Sequence, residues 1–171
     1  MAASRSPKFV TTLWLLPAAP ARKFFRAIVA RLAAEYDAPV FQAHLTLGLG
    51  SPAMPERVLR EPIRLRERGV HGAARFSKTL FVRFEPTPEW KELRKSLGIT
   101  ATTFDPHLSL LYKNLPMEKK TQLAASIRLP FSTVTFDTIQ VVHCLSPTGT
   151  RADVESWKVL ASQRLEAGFV A

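Results

Sequence analysis

One heptapeptide occurs twice in this sequence, and that echo constrains the fold more than any other feature. Residues 41–47 read Phe-Gln-Ala-His-Leu-Thr-Leu and residues 104–110 read Phe-Asp-Pro-His-Leu-Ser-Leu. Both satisfy Phe-x-x-His-Leu-[Thr/Ser]-Leu, with the histidines 63 residues apart. Apolar and polar residues alternating at period two mark a strand with one buried face. Leu45, Leu47 and Leu49 share one side, and His44 and Thr46 take the other. Leu108 and Leu110 oppose His107 and Ser109 in the same way. Residues two apart on a strand lie roughly 6.5 Å apart, so an imidazole and a hydroxyl at this spacing reach one tetrahedral anion. Two such strands side by side surround a phosphate with two imidazoles and two hydroxyls.

The rest of the chain reads as scaffold for those strands. The apolar run at residues 9–16, with Arg5 and Lys8 before it and alanines at 18, 19 and 21 after it, has the outline of a secretory signal peptide. Pro17 and Pro20 break the segment and the apolar run is short, so a buried strand is the expected structure, retained in a chain that starts at Met1. Phe25, Ile28, Val29, Leu32, Ala33 and Tyr36 recur at helical spacing, with Arg22, Lys23, Arg26 and Arg31 largely on other faces. A strand over residues 40–49 closes at Gly50-Ser51-Pro52, and residues 55–60 form a short helix that Pro62 ends. Strands follow at 63–71 and 76–84. Thr87-Pro88 then caps a helix that carries Trp90, Leu93 and Leu97 and stops at Gly98. A strand at 104–113, a helix at 116–128 and closing strands at 133–145 and 156–164 complete the order. No linker or low-complexity tract divides the chain, and one domain over residues 1–171 is expected.

Composition narrows the function classes. At 46% hydrophobic and 22% charged, the chain is neither disordered nor membrane-like, and no stretch approaches the ~20 apolar residues of a membrane span. Its 24 Lys+Arg against 14 Asp+Glu leave a net charge of +10, which suits anionic partners such as phosphates or nucleic acid. The single Cys144 excludes an intramolecular disulfide framework and a multi-cysteine zinc site, and a reducing, cytoplasmic setting is expected. The four histidines lack paired metal spacing. There is no Gly-x-Ser-x-Gly, and Gly48-Leu49-Gly50-Ser51 lacks the Lys of a phosphate loop. Neither a metal nor a cofactor is expected. His71 and His143 have no hydroxyl two residues on and read as strand-end or loop histidines.

Opening a phosphodiester with water needs a base for the water and an acid for the leaving oxygen. Histidine can take either role near neutrality. Hydroxyls can donate to the non-bridging oxygens, where charge concentrates. The paired His-x-[Thr/Ser]-hydrophobic motifs resemble those of the two-histidine (2H) phosphoesterase superfamily, which includes RNA ligase/cyclic phosphodiesterase enzymes. Pro106-His107-Leu108-Ser109-Leu110-Leu111-Tyr112 looks like the plant-type cyclic nucleotide phosphodiesterase branch, and Trp14-Leu15-Leu16-Pro17 is similar to that branch's first-strand motif. Ala43 departs from the Pro that many members carry before the first histidine. The resemblance implies a bilobal α+β fold of two pseudo-symmetric lobes, each with an antiparallel sheet and outer helices, and an active cleft between them. It implies metal-independent hydrolysis of a nucleoside 2′,3′-cyclic phosphate to the 2′-phosphate, or of ADP-ribose 1″,2″-cyclic phosphate. His44 and His107 carry over as the acid/base pair, and Thr46 and Ser109 as phosphate holders.

Trp14 and Tyr112 are candidates for stacking on a nucleobase, although strand parity puts Tyr112 on the face of Leu108 and Leu110; Trp90 reads as core. Arg57, Arg60, Arg64, Arg66 and Arg68 form either a solvated face or an RNA track, and positive charge is expected to gather there and at the cleft. The expected partner is a small cyclic nucleotide or an RNA end, with no membrane, and the protein is expected to be a monomer. RNA end processing, including 2′–5′ ligation, is the alternative enzyme reading. A non-catalytic RNA-binding module is the alternative of another class. Intact histidines argue against the module, because binding alone favours Arg or Lys at a phosphate.

Overall fold

In a computed structural model, residues 8–51, 61–101 and 105–166 are described. The order is β1 (Lys8–Pro17), α1 (Ala21–Tyr36), β2 (Leu45–Leu49), β3 (Ile63–His71), a 3₁₀ turn (Phe76–Lys78), β4 (Leu80–Phe84), α2 (Pro88–Ser96), β5 (His107–Leu111), α3 (Met117–Ser126), β6 (Thr133–Ser146), α4 (Arg151–Glu155) and β7 (Lys158–Arg164). Residues 9–16, the segment with the outline of a signal peptide, lie in β1. Among the described residues no helix is long and apolar enough to cross a membrane.

The α+β class holds, and every strand pairing is antiparallel. The strands of the two expected lobes run together as one seven-stranded sheet among the described residues, in the order β1-β2-β5-β4-β3-β6-β7. β6 also pairs along β1, from Lys8 opposite Ser146 to Pro17 opposite Phe136. Six strands therefore close into a ring, with β7 flanking β6. Joining β2 to β5 is the register pair Leu45–Leu108, so the two heptapeptide strands lie side by side.

Local chemistry explains most elements. On α1 the buried residues are Ala21, Phe25, Ile28, Val29, Leu32 and Ala33, while Arg22, Lys23, Arg26 and Arg31 face water. The Trp90 amide donates to Thr87 Oγ1 at 3.3 Å, which caps α2, and Trp90 itself is core. Beyond the helix, Gly98 takes the left-handed φ of 71°.

Some elements differ from expectation. Residues 40–44 precede the ladder rather than joining it, and the first half of the strand expected at 76–84 is the 3₁₀ turn. A five-residue helix, α4, precedes β7; Thr150 and Asp153 form its capping box, a spacing visible in the sequence. The short helix expected at residues 55–60, with Arg57 and Arg60, lies outside the described residues, as does Phe104.

Leu49 is corrected too. It is 65% exposed and turns away from the face of Leu45 and Leu47. The β1–β2 register shifts between Leu13 and Trp14, which oppose Gly48 and Thr46, so Leu47 is the extra residue of a bulge. Gly48 has a φ of 151°, and a Cβ there would sit 2.7 Å from Ile99 Cγ2. A bulge reverses parity downstream of it.

Candidate active site

Leu45, Leu47, Leu108 and Leu110 have no exposed surface. Alternation turns His44, Thr46, His107 and Ser109 to the other side, where all four line one cavity of about 550 Å³. The antiparallel register set by Leu45–Leu108 puts His44 across from Ser109 and Thr46 across from His107. Each imidazole thus has one hydroxyl along its own strand and another on the facing strand.

Both rings are oriented alike. His44 Nδ1 donates to the Gln42 carbonyl at 2.7 Å, and His107 Nδ1 donates to the Asp105 carbonyl at 2.8 Å. A carbonyl can only accept, so each neutral ring carries its proton on Nδ1 and keeps Nε2 as its proton-accepting atom. In each case the carbonyl belongs to the residue two before the histidine, so the repeat extends to the ring's support.

The surroundings of the two rings differ. Trp14 lies parallel to the His44 imidazole, with centroids 3.5 Å apart and planes 9° apart, and Trp157 meets it edge-on at 5.7 Å. Burial pushes His44 down to about 4, against the bond to Gln42, with His107 lowering it further. His107 is also lowered, first by burial; its bond to Asp105 opposes this, Lys78 and Arg83 add to it, and the Asp105 carboxylate counters them. Arg83 is paired with Asp105 at 2.8 Å.

The His44 shift has a consequence for stability. Between about pH 6.5, where an unfolded histidine titrates, and about 4, the unfolded chain binds more protons than the folded one. Stability that is complete above the unfolded value is therefore lost as the pH falls through this window, by about 3 kcal/mol from this group. Urea unfolding at pH 7 and pH 4 should show His44→Gln losing less than the unsubstituted chain by that amount. Parallel losses would contradict the assignment.

Ser109 Oγ donates to the Ser77 carbonyl at 3.1 Å. Burial pushes the Tyr112 phenol up to about 12, with the neighbouring Ser109 hydroxyl opposing the shift. Tyr112, just past the end of β5 at Leu111, packs in the same buried core as Leu108 and Leu110, as parity has it, and also lines the cavity. The sequence offers Trp14 and Tyr112 as base-stacking rings; the structure buries them to 4% and 5% exposure. One face of Trp14 is on His44, and Tyr112 packs beside Phe41 and Phe76. They form the wall behind His44 and Ser109.

Other expectations resolve by position. His71 bonds the Arg68 carbonyl, His143 meets Phe9 edge-on, and neither lines the cavity. Arg64, Arg66 and Arg68 are exposed on β3, away from the cavity lining, and Arg68 pairs with Glu85 at 2.6 Å. The positive charge at the cavity comes instead from Arg75 and Lys78, at the 3₁₀ turn. Sequence reasoning missed these two and Trp157: it placed Lys78 and Trp157 in strands over 76–84 and 156–164 and left Arg75 in the connection before the first of them. Among the described residues, no group of three or more His, Cys, Asp or Glu side chains could hold a metal ion.

No known family profile and no curated protein matches the chain. Solved structures do. E. coli LigT complexed with phosphate is 16% identical, with a TM-score of 0.53 over 95% of this chain and 99% of that one. E. coli LigT complexed with 3′-AMP is 15% identical, with a TM-score of 0.51 over 94% and 99%. A protein described as a phosphoesterase is 13% identical, with a TM-score of 0.53 over 91% and 99%. The fold of this chain is the LigT-like fold, in agreement with the fold that the two-histidine resemblance implies.

Proposed function

We propose that this chain is a two-histidine phosphoesterase that hydrolyses small cyclic phosphodiesters, nucleoside 2′,3′-cyclic phosphate or ADP-ribose 1″,2″-cyclic phosphate, without a metal. The observation that carries this reading is the matched pair of imidazoles on one cavity, each with its proton held on Nδ1 by a backbone carbonyl. Phosphate and 3′-AMP in the LigT structures support a phosphate-containing ligand on this fold.

In the 2′,3′-cyclic case, water attacks phosphorus while one neutral imidazole takes its proton at Nε2. The P–O3′ bond breaks, and the departing O3′ receives a proton from Nε2–H of the second, charged imidazole. The product is a 2′-phosphate with a free 3′-hydroxyl. Lowered affinity for protons suits the base; the acid gains its proton when the anionic substrate sits beside it. Thr46 and Ser109 donate to the non-bridging oxygens, Ser109 by turning from the Ser77 carbonyl. Thr46→Ala and Ser109→Ala should each lower kcat on the order of 10- to 1000-fold, measured by initial rates on the preferred substrate.

The net charge of +10 favours RNA end processing as a second reading. Product analysis in the presence of a chelator separates the possibilities. The panel is a 2′,3′-cyclic nucleotide, ADP-ribose cyclic phosphate and a cyclic-ended RNA oligomer. Turnover of a small substrate is the expected outcome, while strong preference for the oligomer selects RNA processing. No turnover of any of the three, or turnover abolished by the chelator, rejects the proposed mechanism.

A further inference from the structure

The cavity is chemically polarised. Around His44 it is aromatic, through Trp14 and Trp157, and His107 is the titratable neighbour that acts on this ring. Around His107 it is ionic: Lys78, Arg83 and Asp105 all act on that imidazole. Arg83 and Asp105 neutralise each other at 2.8 Å. Arg75 and Lys78 also line the cavity, and neither has an ion-pair partner among the described residues. Two cations beside one cavity repel each other until an anion joins them.

Their position is braced. Lys78 Nζ lies 5.7 Å from the centre of the Phe81 ring, which meets His107 edge-on at 5.5 Å. Thr79 Oγ1 bonds the Phe76 and Lys113 carbonyls, the Ala73 amide donates to the Lys78 carbonyl, and the Ser77 carbonyl accepts from Ser109. A cyclic phosphate carries one negative charge, and the two imidazoles and two hydroxyls already serve it. The cations are surplus to that group.

We propose that Arg75 and Lys78 form a subsite for a second phosphate, the one carried on the 5′-oxygen of the ribose that bears the cyclic phosphate. This rests on the proposed function, which seats the cyclic phosphate between His44 and His107. The shared chemistry covers a 5′-phosphorylated nucleoside, the pyrophosphate of ADP-ribose and the diester that precedes a terminal RNA nucleotide. Arg75 supplies a planar fork for phosphate oxygens and Lys78 a point charge.

Calorimetry on the intact protein tests the subsite without requiring turnover. The probes are adenosine 2′-monophosphate and adenosine 2′,5′-bisphosphate at one fixed low salt concentration. The unsubstituted protein should bind the bisphosphate about 10- to 100-fold more tightly, as expected for one or two charged hydrogen bonds. In Arg75→Gln/Lys78→Gln that ratio should fall to within about threefold of one, and Arg75→Gln alone, at an exposed position, should lose several-fold. The control Arg64→Gln/Arg66→Gln, on β3 outside the cavity lining, should keep the full ratio. Equal affinities in the unsubstituted protein, no measurable bisphosphate binding, a ratio that survives the double substitution, or a ratio lost in the control would each overturn the proposal. A dinucleotide ending in a 2′-phosphate identifies the source: tighter binding than the bisphosphate selects RNA ends, and weaker binding selects small substrates. A preserved ratio alongside failed hydrolysis would remove the proposed reaction and leave the subsite standing.

Discussion

Replacing His107 by alanine is expected to lower hydrolysis by at least about 10²- to 10⁴-fold, and His44→Ala by as much. The two rings serve opposite halves of one displacement, so neither can substitute for the other. The double variant should be little worse than either single one, because groups that act as a unit lose their effect together. Rate against pH should be bell-shaped, since one imidazole must be neutral while its partner is charged, and its two limbs belong to the coupled pair. Steady-state rates with chelator present are the measurement. A His107→Ala variant near full rate, or a profile with a single limb, would sink the mechanism.

Leu45→Ala is expected to lower the unfolding free energy by about 2–5 kcal/mol, the range for removing a fully buried leucine from a core that relaxes incompletely. Leu45 has no exposed surface and forms the register pair with Leu108 that joins the two heptapeptide strands. Leu49→Ala, four residues on but 65% exposed, should change stability by less than about 0.5 kcal/mol. Urea titrations of the two variants check the contrast. Similar losses would show that the bulge at Leu47 does not reverse the strand as described.

Features legible in the sequence are those governed by local rules. Alternation over four or five residues separated Leu45, Leu47, Leu108 and Leu110 from His44, Thr46, His107 and Ser109, and the cavity receives all four polar groups. The apolar stripe of α1 and the Thr87-Pro88 start of α2 are equally local, since a helix face and a cap are settled within one or two turns. Phe-x-x-His also contained the carbonyl that orients each ring, although its use emerges only from the backbone geometry.

What the tertiary structure decided depends on partners far apart in the chain. Leu49 turns over because β1 shifts register against β2, and no pattern within 45–49 encodes that shift. Tyr112 packs in the core with Leu108 and Leu110 and also reaches the cavity, among Phe41, Phe76 and Trp157 from distant parts of the chain. Trp14 stacks on His44 because β1 is held between β2 and β6. Trp157 joins them from the connection between α4 and β7. Arg75 and Lys78 reach the cavity through a turn whose Ser77 carbonyl binds Ser109, 32 residues away. Periodicity sets which way a side chain points from its own strand. Which groups meet across the cavity is set by long-range strand pairing and ring packing, and these depend on the whole closed sheet.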